Sequence, residues 1–213
     1  MAKKDRAAIV KILRKRYPKA TTALNWSNPY ELLVATILSA QCTDVRVNIV
    51  TPALFKRFPN PAACAAADPG EIEKHIQTAG FYRQKTKSIQ GACKKIVDQF
   101  GGQVPDTMEQ LITLPGVARK TANVLLGTAF GKNEGVAVDT HVGRVSIRLG
   151  LVTSTTNSKD AIKIEQDLMT LIPRKDWTFF SHAIILLGRE ICHARGPEHV
   201  KCPLNPLCPS RDI

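Results

Sequence analysis

Apolar residues recur at helical spacing along almost the whole chain, and proline or glycine falls between the runs. Asp5 to Tyr17 sets Ile9, Ile12, Leu13 and Tyr17 at that spacing in a basic helix that Pro18 ends. Asn28-Pro29-Tyr30-Glu31 combines an N-cap, a proline at the first helical position and a carboxylate two residues on. It starts a helix whose apolar body, Leu32 to Leu38, belongs in a core. Further helices are predicted over 44–58, 61–67, from Asp68 to a stop at Gly80, and over 82–100 before Gly101-Gly102. Beyond residue 139 they are predicted over 140–149, 157–172 and 176–192. Val136-Ala137-Val138 is β-like but too short to build a sheet, and there is no repeat period. The pattern predicts an all-α fold.

One stretch stands out, from Leu111 to Asp139. Asp106 and Glu109 are spaced like a capping box, which predicts a short helix from near Thr107. Pro115-Gly116 stops it, and a second helix is predicted from about Val117, with Val117, Val124 and Leu125 on one face. Two helices joined by so tight a turn expose backbone N–H groups at a fresh helix N-terminus, which suits a phosphate. Lys120 falls in the first turn of the second helix, and Asp139 just precedes the next one.

Composition narrows the partners. The 213 residues are enough for one domain or two small ones, and 44% apolar content is ordinary for a soluble protein. No apolar run is long enough to span a membrane, and the charged N-terminus does not lead into a signal-peptide core. A soluble, cytoplasmic protein is expected. Lys and Arg number 30 against 18 Asp and Glu, a formal charge of +12, which favours a polyanion, nucleic acid first. The excess is concentrated in the segment from Lys3 to Lys19 and in Arg83, Lys85, Lys87, Lys94 and Lys95. Cys42, Cys64 and Cys93 are scattered through apolar patterns and read as buried or half-buried inert thiols. Cys192, Cys202 and Cys208 lie close together in a proline-containing tail.

Leu114-Pro115-Gly116-Val117-Ala118-Arg119-Lys120-Thr121-Ala122-Asn123 resembles the helix-hairpin-helix of the endonuclease III family of DNA glycosylases. Val138-Asp139-Thr140-His141 resembles that family's aspartate segment, and Leu38-Ser39-Ala40-Gln41 and Gly80-Phe81-Tyr82 match two more of its segments. The resemblance runs from about Thr22 to Cys208. It implies two lobes with a cleft between them: a six-helix barrel over 23–132, and a second lobe joining 1–22 to 133–213 and carrying a metal cluster. Lys120 and Asp139 would face the cleft from opposite lobes.

The resemblance also implies an activity, removal of a damaged base followed by abasic-site strand cleavage. A lysine is a nucleophile only when neutral. The helix N-terminus and the neighbouring Arg119 both press the Lys120 ammonium toward that form. A Schiff base between this amine and the sugar would permit β-elimination. On the residues alone, Lys120 reads first as a phosphate-binding lysine, and the resemblance is what makes it the nucleophile. Asp139 reads as an N-cap, and the resemblance makes it the second catalytic residue, stabilising charge on the sugar or relaying a proton. By the same resemblance Gln41 and Phe81 fill the gap left by an extruded base. An aromatic wedge suits that role, and a core aromatic after a glycine cap is the alternative for Phe81. Gly116, Ala118 and Arg119 would contact DNA. Ser39 and Asp44 would line the base pocket, with His141 in a supporting role. Ala118 stands where the family often has glycine, which matters only if the site needs positive φ or very close phosphate approach.

The tail reads Cys192-x6-His199-x2-Cys202-x5-Cys208, where the family pattern has a second cysteine at the position of His199. Ligand chemistry alone suggests zinc first for three cysteines and a histidine. The resemblance instead puts first a [4Fe–4S] cluster with His199 as fourth ligand, then a lost or incomplete cluster, then zinc. His193 is a further candidate ligand, less well spaced. The expectation is a monomeric bifunctional DNA glycosylase and abasic-site lyase acting on oxidised pyrimidines in duplex DNA. One alternative is a monofunctional mismatch glycosylase of the same superfamily, against which Lys120 and the end at Ile213 argue. The other is a non-catalytic helix-hairpin-helix DNA-binding module.

Overall fold

The structure, a computed structural model, describes residues 3–211; Met1, Ala2, Asp212, Ile213 and the side chains of Lys3, Lys4, Asp5 and Arg6 lie outside the described residues. That part of the basic N-terminal run, and the end at Ile213, fall outside it too. Among the described residues all regular structure is helical. The α-helices are α1 (Lys3–Arg16), α2 (Pro29–Leu38), α3 (Asp44–Arg57), α4 (Pro61–Ala65), α5 (Pro69–Ile76), α6 (Tyr82–Phe100), α7 (Met108–Leu111), α8 (Arg119–Ala129), α9 (Thr140–Arg148), α10 (Ala161–Leu171) and α11 (Trp177–Glu190). They divide into two compact units, Ala23–Gly131 and the pair of flanking segments up to Thr22 and from Lys132.

Short polar side chains set most of the helix starts. The side-chain oxygens of Asn28, Thr43, Asn60, Asp68, Thr107, Asp139 and Asp160 each accept a bond from a backbone N–H in the first turn that follows. Four starts differ from expectation, the first being α1, which begins at Lys3 rather than Asp5. The cap of α7 is Thr107, which accepts from Gln110, rather than Asp106. The second hairpin helix begins at Arg119 rather than near Val117, because Gly116 has a φ of 78° and Ala118 is extended. Residues 157–160 do not start α10: Asn157 Oδ1 accepts from the Lys159 N–H in a turn, and Asp160 is the cap.

In the Ala23–Gly131 unit, α2 is the central element. Leu32, Leu33, Val34, Ala35 and Leu38 are buried among residues of α3, α5, α6 and α8. The other unit closes around α11, whose Phe180, Ala183, Ile184 and Leu187 pack with Ile9 and Leu13 of α1 and Val142 and Val145 of α9. Polar contacts fix α1 there. Arg14 pairs with Asp176 and lies 4.2 Å over the Phe179 ring, and Tyr17 donates to Glu190 at 3.0 Å. Part of the basic N-terminal charge therefore does structural work inside its own unit. Val136, Ala137 and Val138 are buried but form no strand; the Ala137 N–H donates to Ser181 Oγ at 3.0 Å.

Candidate active site

The hairpin is locked onto α6. At Gly116 a Cβ would lie 2.7 Å from Ser88 Cβ, so the turn needs glycine for space as well as for its positive φ. A Cβ at Gly91 would meet the Pro115 ring at 3.2 Å, and Lys95 Nζ donates to the Thr113 carbonyl at 3.1 Å. Ala118 has a φ of −90°, which any residue adopts, so alanine costs nothing there. Its side chain offers the N-terminus of α8 no cap. Arg119 and Lys120 are the first two residues of α8, and both are exposed.

Asp139 is the N-cap of α9. Its Oδ1 accepts from the His141 and Val142 N–H groups, both at 2.8 Å, and these bonds fix the carboxylate on the helix end. His141 is turned into its own unit. It packs against Gly188, where a Cβ would come within 3.1 Å of the ring Nδ1, and that nitrogen lies 3.2 Å from Arg144 Nη2. Burial holds its pKa below the usual imidazole value, with Arg144 and Arg189 acting in the same direction and Asp139 against it.

Gln41 and Phe81 share a property that sequence patterns do not disclose. Among the described residues they are the two non-glycine positions with positive φ, 52° and 47°. Both side chains are exposed, Phe81 at 68%, which rules out the core-aromatic alternative. Strained backbone of this kind costs on the order of 1–3 kcal/mol per residue and persists where the surroundings enforce it. Ser39 is half-buried, and its Oγ donates to the Thr36 carbonyl at 2.8 Å; Asp44 is half-buried as the first residue of α3. Lys85, one of the second group of basic residues, is buried.

The tail wraps one pocket in the other unit. Cys192, His199, Cys202 and Cys208 all line it, together with Arg148, Leu187 and Asn205. His193 is not among the lining residues, and its Nε2 lies 3.7 Å from Glu198 Oε1. Leu204, fully buried, anchors the loop in the core. N–H groups approach each sulfur: Arg148 Nη1 at 3.4 Å from Cys192 Sγ, the Leu204 and Asn205 amides at Cys202, and the Ser210 amide at Cys208. Burial pushes the Cys202 and Cys208 thiols up, and those amides pull the other way. Among the described residues no three His, Cys, Asp or Glu side chains converge closely enough to hold a single metal ion. Two arginines that sequence reasoning missed hold the loop's first turn. Arg144 donates to the Cys192 and Gly188 carbonyls, and Arg148 to the His193 and Ala194 carbonyls, at 2.6–3.2 Å. No helix among the described residues is long and apolar enough to cross a membrane.

Comparison with known proteins agrees with this geometry. Residues 34–174 match the family model of the HhH-GPD superfamily base excision DNA repair protein. Endonuclease III of Synechocystis sp. is 59% identical over 210 residues, covering 98% of this chain and 94% of that one. Two solved structures, a non-covalent endonuclease III–DNA complex and a trapped endonuclease III–DNA covalent intermediate, each share 40% identity and a TM-score of 0.90. Each match covers 99% of this chain and 97% of the other. A hairpin with an exposed lysine at its second helix, an aspartate-capped helix after it, and a full-length likeness at this identity place the chain in the endonuclease III family of HhH-GPD base excision DNA repair proteins.

Proposed function

We propose that the protein is a bifunctional DNA N-glycosylase and abasic-site β-lyase that excises oxidised pyrimidines from duplex DNA. The observation that carries the reading is Lys120, an exposed amine in the first turn of α8, just after the Gly116 turn. A relative at 40% identity has been trapped as a covalent intermediate with DNA, the state an amine nucleophile produces. Lys120 Nζ attacks the sugar C1′, the bond to the base breaks, and the base leaves with a proton. Opening of the sugar ring then gives a Schiff base, which acidifies C2′. Loss of the C2′ proton expels the 3′ phosphate, and water releases the lysine. Asp139 stabilises positive charge on the sugar during the first step and relays protons to and from Lys120. The hairpin turn with Gly116, Ala118 and Arg119 binds phosphate, while Gln41 and Phe81 occupy the space vacated by the extruded base. Ser39 and Asp44 border the base, and His141 supports the end of α9 that carries Asp139.

Cys192, His199, Cys202 and Cys208 hold a [4Fe–4S] cluster in this reading. The donors fit that group better than zinc, since they ring a pocket without converging on one point. Tetrahedral zinc draws its thiolates to about 2.3 Å from a single centre. N–H donors at all three sulfurs suit thiolates. His199 lines the pocket while His193 is turned to Glu198, and this supports His199 as the fourth ligand. When bound, the cluster cross-links the loop.

Borohydride trapping tests the chemistry. Native protein is expected to form a covalent adduct with duplexes carrying an abasic site or an oxidised pyrimidine, and Lys120→Ala to form neither. Native protein that binds both duplexes and traps on neither would sink the lyase assignment.

A further inference from the structure

Lys85 is 5% exposed, on the first turn of α6, in a chain whose other lysines are exposed or half-buried wherever their burial is described. Its ammonium donates to two carbonyls from separate parts of the chain, Leu38 at 2.8 Å and Ala79 at 2.7 Å. Leu38 is the last residue of α2, and Ala79 ends the 3₁₀ turn Gln77–Ala79. Helix C-termini present unpaired carbonyls and the negative end of the helix dipole, so one buried cation satisfies two such ends. The backbone N–H of Lys85 also donates to the Phe81 carbonyl at 3.0 Å.

Those anchor points lie immediately before the two strained residues. Two residues separate Leu38 from Gln41, and one separates Ala79 from Phe81. Phe81 is thus bracketed, its own carbonyl held by the Lys85 amide and the Ala79 carbonyl held by the Lys85 ammonium. Left-handed backbone at a glutamine and a phenylalanine needs such restraint, because neither residue favours it. We infer that Lys85 is a positioning residue: it fixes the Gln41 and Phe81 turns relative to each other, so that both side chains enter the duplex together. The inference rests on the gap-filling role proposed for Gln41 and Phe81. Burial of the ammonium disfavours its charged form, and the two carbonyls on its protons are what the site offers in return.

A double-mutant cycle separates positioning from mere structural support. Lys85→Met is expected to slow base excision from a duplex roughly tenfold to a hundredfold, the scale of a small misplacement. Lyase trapping on an abasic single strand, which has no partner strand to open, should stay within about twofold. In a Gln41→Ala, Phe81→Ala background the same Lys85→Met change should alter duplex excision by less than about twofold. Fluorescence of a 2-aminopurine beside the lesion should report slower extrusion in step with excision. An equal loss in both backgrounds, or a parallel loss on single strand and duplex, would overturn the inference. Should Gln41→Ala and Phe81→Ala leave extrusion unchanged, the gap-filling reading itself fails, a separate outcome. If Lys85→Met does not fold, Lys85→Arg carries the cycle: it keeps the charge, but its planar fork cannot hold two carbonyls at one point.

Discussion

Asp139 caps α9, and the catalytic role proposed for it draws on a different property of the same side chain. Capping needs an acceptor oxygen, and Oδ1 supplies it to two amides. The proposed catalytic role needs a negative charge. Asparagine caps a helix about as well as aspartate and carries no charge. Asp139→Asn is therefore expected to keep its thermal midpoint and its affinity for abasic duplex while base excision falls by about a hundredfold or more, the usual scale for losing a proton-transfer group. Single-turnover excision beside anisotropy binding would read this, and unchanged excision would leave Asp139 as a cap alone. Such a split was partly visible in the residues themselves: an aspartate directly before a helical pattern announces a cap. Lys85 was not visible in this way. Within a run of basic residues it reads as surface charge, and only the chain segments brought around it reveal a buried cation.

At the scale of elements, the hairpin shows how one glycine can serve two requirements. Gly116→Ala would force a side chain into left-handed backbone and drive its Cβ to 2.7 Å from Ser88 Cβ on α6. The backbone alone should cost ~1–2 kcal/mol, before the clash is counted. Urea unfolding is expected to show at least that loss, with weaker DNA binding at fixed salt. Ala118→Gly should show neither, since its φ of −90° suits any residue. Undiminished stability in Gly116→Ala would mean that the turn relaxes away from α6. Helix extents were legible in the sequence because proline, glycine and short polar caps punctuate it. The exceptions follow from local competition: Asn157 closes a turn with the Lys159 amide instead of starting α10. The arginine clamp on α9 was not legible. Arg144 and Arg148 sit four apart, the pattern of a solvated helix face, and their carbonyl partners lie more than forty residues away in the chain.

Across the whole molecule, α9 connects two features that the sequence presents separately. Its first turn is capped by Asp139, and its later turns carry Arg144 and Arg148, which hold the start of the cysteine loop. The loop closes back on the helix through Cys208, whose thiol donates to the Arg148 carbonyl at 3.6 Å, and through Pro209 against Gly150. A cross-link through the loop therefore acts on the helix that carries the proposed catalytic carboxylate. Apart from Leu204 the loop buries little apolar surface, so cohesion from a bound group matters more here than elsewhere. Anaerobically prepared protein is expected to contain iron and inorganic sulfide in equal amounts, and His193→Ala to retain both, because His193 is turned to Glu198 outside the pocket. His199→Ala should lose iron on dilution or chelation far faster than native protein, with a fall in thermal midpoint. His199→Cys should keep the cluster but lower its reduction potential, because a thiolate adds negative charge where a neutral imidazole stood. Colourless native protein free of iron would remove the cluster, and equal iron retention in native and His199→Ala would remove His199 from its ligands.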